Sequence, residues 1–228
     1  MGVVSETWTP LILVTVCMCT LLYGFSKTAM PVAGVLAGPL LVAVLGATTA
    51  SGLMVPLLVL GDIFALAYYR QHANWSLIRK LVPGVLLGFV LTALMFRFLP
   101  ATAMDRIIGL LIMASLALEL WRRWQERHQS QHELEPMTSK VGIVFFGSLA
   151  GMTTMAANAG GTAMTLYLLK MRVSMLAFMG TSAWFFFVLN VLKIPIVGGL
   201  GFITRESLIA DLWLAVFMVV GALVGVFT

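Results

Sequence analysis

Apolar residues run along this chain in blocks long enough to cross a bilayer, with short polar punctuation between them. Residues 11–45 are apolar apart from a break at 24–31 and are too long for one crossing, so they predict two helices meeting at that break. Residues 48–69 predict a third helix, roughly 33 Å long at about 1.5 Å per residue. Residues 77–99 and 102–124 predict a fourth and a fifth. A stretch dense in Gln, His, Glu and Arg follows at 125–140. Residues 141–157, a short segment at 160–169, then 174–195 and 207–227 complete the pattern. The fold class expected is all-α: a polytopic transmembrane bundle of eight or nine membrane segments, some short or broken. Its expected organisation is a first membrane repeat over 1–124, a cytoplasmic linker over 125–140 and a second membrane repeat over 141–228.

Two small-residue stretches punctuate the apolar runs: Gly24-Phe-Ser-Lys27-Thr-Ala-Met-Pro31 and Gly151-Met-Thr-Thr-Met-Ala-Ala-Asn158-Ala-Gly160-Gly161-Thr162. Backbone that leaves the helix at membrane depth survives only where protein or a wet cavity satisfies its N–H and C=O groups. One such break in each half is the pattern of a transporter built from repeats around a central site. A faint internal repeat agrees. Ser76-Leu77-Ile78-x-x-Leu81 recurs as Ser207-Leu208-Ile209-x-x-Leu212, and the same register places Lys27 on Asn158, Ser51 on Ser182 and Asp62 on Lys193. With five helices in the first half, the second runs inverted.

Composition turns the pattern into a class. The 228 residues are 61% hydrophobic and 10% charged, with mean hydropathy +1.02, too apolar for a water-soluble domain. The net charge of +5 follows from loop Lys and Arg and does not point to nucleic acid. Arg70, Arg79 and Lys80, then Arg122, Arg123, Arg127 and Lys140, then Lys170 and Arg172 fall on one side, which is expected to be cytoplasmic, with the N-terminus outside. Arg97, Arg106 and Arg205 fall on the other. Residues 1–10 carry Glu6 and no Lys or Arg, so no cleavable signal peptide is expected. Cys17 and Cys19 lie two apart on one helix, where they cannot pair. His72, His128 and His132 have no cysteine companions, so no zinc site is expected. No Walker loop, nucleophile elbow, HExxH or catalytic carboxylate pair occurs, and no enzyme is expected.

The candidate residues follow from what polar groups cost in a bilayer. Lys27 is either a positive anchor for an anionic substrate or a lysine snorkelling to headgroups. Asn158, Gly160, Gly161 and Thr162 precede a short helix whose free N–H groups suit a small oxyanion, with tight helix packing as the alternative. Asp62 is a proton carrier, a cation partner or half of a fixed ion pair. Asn190 and Lys193 share a helical face by their i, i+3 spacing, with Pro195 freeing a carbonyl nearby. Thr181 and Ser182 could line a cavity. Arg70, with Tyr69, ends the third segment at an expected cytoplasmic mouth, where Tyr69 reads more simply as an interface anchor. Glu119, with Arg122 and Arg123 a turn away, reads as a structural pair; Asp211 is left open.

These residues, taken together, resemble the TauE/SafE sulfite-exporter family of membrane permeases over essentially the whole chain. The likeness rests on Gly24-Phe-Ser-Lys27, Pro56-Leu-Leu-Val-Leu-Gly-Asp62-Ile-Phe-Ala and Tyr68-Tyr-Arg70-Gln-His72-Ala-Asn-Trp75 in the first half. In the second it rests on Ala157-Asn158-Ala-Gly160-Gly161, Tyr167-Leu-Leu-Lys170, Gly180-Thr181 and Asn190-Val-Leu-Lys193-Ile-Pro195. The resemblance implies a secondary carrier without cofactor, in the bacterial plasma membrane, moving small sulfur-containing anions such as sulfite or organosulfonates outward. The expected substrate-binding residues are Lys27, Asn158, Gly160, Gly161, Thr162, Asn190 and Lys193, with Asp62 and Arg70 in coupling or gating. Expected partners are the anion, the lipid bilayer, protons as candidate coupling ion and a second copy in a homodimer. A passive anion channel or a non-transporting accessory subunit are the rivals. Two departures stand out: relatives commonly carry a further helix after the position of Thr228, and many have prolines after the glycines at 160–161.

Overall fold

The computed structural model describes residues 8–29, 34, 36–98, 101–128 and 139–227; Pro31 and residues 129–138 of the predicted linker lie outside them. Among the described residues there are nine α-helices and no strand. These are α1 (Pro10–Thr28), α2 (Ala37–Leu45), α3 (Ala47–Tyr69), α4 (Trp75–Phe98), α5 (Ala101–His128), α6 (Lys140–Ala157), α7 (Gly161–Lys170), α8 (Met175–Gly199) and α9 (Arg205–Val226). A 3₁₀ turn, Arg70–His72, joins α3 to the loop before α4. Five of the helices are long and apolar enough to cross a membrane: α1, α3, α4, α8 and α9. At about 1.5 Å per residue, α2 and α7 rise only about 14–15 Å, half a bilayer core.

Local chemistry sets the helix starts. Thr9 caps α1 through Ile12 N at 3.4 Å, ahead of Pro10 at the first helical position, where a missing N–H costs nothing. Ser139 and Ser174 cap α6 and α8 in the same way, and Thr204 with Ser207 forms a reciprocal capping box on α9. Two boundaries differ from the sequence expectation. The α5 helix continues to His128, four residues into the predicted linker, and α8 runs past Pro195 to Gly199. Proline is tolerated in membrane helices more readily than in soluble ones, because neighbouring groups can take up the freed backbone carbonyls.

The two halves interleave. The most extensive pairings are α4 with α6 and α1 with α9, each joining one half to the other, and α3 lies against both α8 and α9. Small residues permit those crossings: a methyl group at Gly24 would collide with the Met218 carbonyl, and one at Gly88 with the Ser148 carbonyl. Two buried clusters result. One gathers Leu81, Val85 and Phe89 of α4 with Ala150, Tyr167 and Leu189; the other gathers Val16, Tyr23, Leu53 and Leu57 with Leu214 and Met218. Outward faces stay apolar, as bilayer solvent requires: Leu212 is 77% exposed while the adjacent Asp211 is 7% exposed.

Candidate functional site

Where the two clusters meet, α1, α3, α6, α7 and α8 line a partly open cavity of ≈ 50 Å³, walled by Tyr23, Lys27, Asp62, Asn158, Ser182 and Asn190 among others. At roughly 10–15 Å³ for each water, it has room for about four, or for one small oxyanion. It lies beside the ends of the two interrupted helices. Asn158, in the left-handed conformation at φ 53°, ends α6 and folds its N–H back onto the helix; Asn is one of the few side chains that visit this region readily. At the end of α1, Tyr69 Oη donates to the Thr28 carbonyl at 2.8 Å and Thr28 Oγ1 donates to the Ala222 carbonyl at 2.7 Å. Side chains from α3 and backbone of α9 thus take up the polar groups that a broken helix leaves over.

Three charged side chains and two amides form the network around the cavity. Lys27 Nζ lies 2.6 Å from Asp62 Oδ1, and Asn190 Nδ2 donates to Asp62 Oδ2 at 2.6 Å. Both carboxylate oxygens are therefore engaged, which is what makes a fully buried Asp62 tolerable. Lys193, also fully buried, donates to Asn158 Oδ1 at 2.6 Å and to the Thr154 carbonyl at 2.8 Å. Those acceptors are at the C-terminus of α6, the negative end of its dipole, so the ammonium is favourably placed. The Lys27 ammonium also sits 4.9 Å above the Phe186 ring, a cation–π contact. Two hydroxyls in the cavity wall, Tyr23 Oη and Ser182 Oγ, have no hydrogen-bond partner, and neither does Asn190 Oδ1.

Most of the expected residues converge. Lys27, Asn158, Gly161 and Asn190 line the cavity, with Asp62 beside them, and Lys193 reaches it through Asn158. Gly160 and Thr162 flank the lining without joining it. Gly160 packs on Thr154, and the buried Thr162 hydroxyl has no partner. Arg70 is exposed in the 3₁₀ turn, where its carbonyl accepts from Trp184 Nε1 at 3.2 Å, away from the cavity. Thr181 is not a lining residue, because its hydroxyl accepts from Asn74 N at 2.9 Å. Tyr69, expected as an interface anchor, instead ties α3 to the end of α1. The Arg122 and Arg123 side chains proposed as partners of Glu119 lie outside the described residues.

Sequence reasoning missed Tyr23, Phe186 and Thr154. Spacing held a signal for two of them: Tyr23 is four residues before Lys27 and Phe186 four before Asn190, so each shares a helical face with a flagged residue. Asp211 belongs elsewhere. Its two carboxylate oxygens, both without a hydrogen-bond partner, border a separate groove of ≈ 370 Å³ between α3 and α9.

Among known proteins, no significant match is found either with the curated proteins or with the solved structures. The family model described as sulfite exporter TauE/SafE matches residues 16–228, nearly the whole chain. With its apolar helices, that match makes this a multi-pass membrane protein of a transporter family. The chain belongs to the TauE/SafE sulfite-exporter family.

Proposed function

We propose that this chain is a secondary carrier that exports small sulfur-containing anions, sulfite or organosulfonates, across the bacterial plasma membrane. The observation that carries this reading is the cavity whose wall combines the Lys27 ammonium with the partnerless hydroxyls of Tyr23 and Ser182. A cation and free donors in a largely buried chamber suit a small oxyanion. The amide of Asn158 and the N-terminal amides of α7, reached through Gly161, add further donors.

Two inverted repeats suit the geometry. In the register that places Lys27 on Asn158 and Asp62 on Lys193, the contact between Lys27 and Asp62 corresponds to the contact between Asn158 and Lys193. The exchanged pairings, α1 on α9 and α4 on α6, correspond in the same way. On this reading the repeats cover residues 1–124 and 141–228, and the eight or nine segments include the half-length α2 and α7. Asp62 is the group that makes transport depend on protons, and Arg70 stands at the cytoplasmic mouth. A homodimer agrees with the exposed apolar faces.

The test is flux of sulfite and sulfoacetate into proteoliposomes, comparing wild type with Lys27→Ala and Asn158→Ala. Saturable flux lost in both variants is expected. Normal flux in both would move the site elsewhere, and unitary currents would make the protein a channel.

A further inference from the structure

Resting on the cavity being an anion site, the charges and free acceptors around it specify which form of the anion it takes. The charged side chains of the site are Lys27 from α1, Asp62 from α3 and Lys193 from α8; the one further titratable group in its wall is the phenol of Tyr23. Among the described residues α2, α6 and α7 add no charge to it, and Asp211 of α9 borders the other groove. Two ammonium groups against one carboxylate leave a single positive charge to be matched. A dianion would leave one negative charge uncompensated among largely buried groups, where isolated charge is costly.

Hydrogen-bond inventory points the same way from a separate observation. Asn190 Nδ2 is committed to Asp62, which fixes the other end of the amide, Oδ1, as an acceptor. That oxygen is buried in a residue of the cavity wall and has no partner. A fully ionised oxyanion offers acceptors only and leaves it unsatisfied. An oxyanion that retains one O–H can donate to it, while Tyr23, Ser182 and Lys27 donate to the remaining oxygens.

We infer that the site selects the singly charged, hydroxyl-bearing form of a dibasic oxyanion, so that a second negative charge enters only together with a proton. The proton travels on the substrate, donated to Asn190 Oδ1, while Asp62 stays paired with Lys27 and sets the charge that the chamber accepts.

The experiment is equilibrium binding to the purified full chain in detergent, followed by calorimetry between about pH 6 and 8.5. Three probes are used: sulfite, whose second proton titrates within that range; methanesulfonate, a monoanion throughout; and sulfate, a dianion throughout. Sulfite is expected to weaken about ten-fold per pH unit above its second pKa, with methanesulfonate weaker but flat and sulfate unbound. In Asp62→Asn sulfate should gain binding and the pH dependence of sulfite should flatten. A flat sulfite profile in wild type, or sulfate bound as tightly as sulfite, overturns the inference and leaves the anion site standing. Binding of none of the three anions at any pH removes the anion site itself.

Discussion

Lys27 Nζ and Asp62 Oδ1 lie 2.6 Å apart across the gap between α1 and α3, with Asp62 fully buried and Lys27 12% exposed. A buried pair of this kind adds little net stability, but removing one member strands the other. Lys27→Met should therefore destabilise the protein by about 3–5 kcal/mol, and adding Asp62→Asn should restore most of that loss. Thermal unfolding of the two single variants and the double variant in detergent measures the coupling. Additive losses would mean that the pair is not a unit.

The cavity hydroxyls separate binding from folding. Tyr23 Oη and Ser182 Oγ have no protein partner to lose, so Tyr23→Phe and Ser182→Ala should leave the unfolding temperature unchanged or slightly raised. Each should weaken sulfite binding by about 0.5–1.5 kcal/mol, the net worth of one hydrogen bond. Unchanged affinity in both variants would take these groups out of the site.

Gly88 meets the Ser148 carbonyl so closely that no side chain fits between α4 and α6. Gly88→Leu should spread that crossing and cost at least about 1–3 kcal/mol, the range for overpacking. By contrast, a Cβ at Gly199 would meet nothing within 4 Å, so Gly199→Ala should be nearly silent. Comparing folded yield and unfolding temperature of the two checks that the packing, and not glycine content, matters.

Asp211 presents two buried carboxylate oxygens without a hydrogen bond. An unsatisfied buried polar group costs about 1–3 kcal/mol, so Asp211→Leu should raise the unfolding temperature. If it does so and sulfite flux is unchanged, the groove between α3 and α9 plays no part in transport.

The helices were legible because the bilayer leaves the backbone few choices. Apolar runs of helical length, a Ser or Thr before each of α1, α6, α8 and α9, and small-residue breaks at 24–31 and 158–162 place elements by local chemistry alone. The ends of α5 and α8 were less legible. Their last turns depend on what surrounds them, and a proline stops a helix in water more surely than inside a bundle.

The site divides along the same line. Lys27, Asp62, Asn158, Asn190 and Lys193 stood out because each is expensive in an apolar span and so has to be satisfied by something. Tyr23, Thr154 and Phe186 cost little there and gave no such sign. Their place in or beside the cavity comes from contacts between helices far apart in the chain.

By itself, then, the amino-acid sequence determined a helical membrane protein of the TauE/SafE family and the polar residues that must be buried in it, since burial cost and helix period are local properties. Only the tertiary structure decided the partners: that Asp62 takes Lys27 and Asn190, that Lys193 takes Asn158, and that Asp211 takes no hydrogen bond. Pairing is settled by which helices cross and at what depth. That follows from small residues such as Gly24 and Gly88 meeting carbonyls of the opposite half of the chain, a relation that no local pattern encodes.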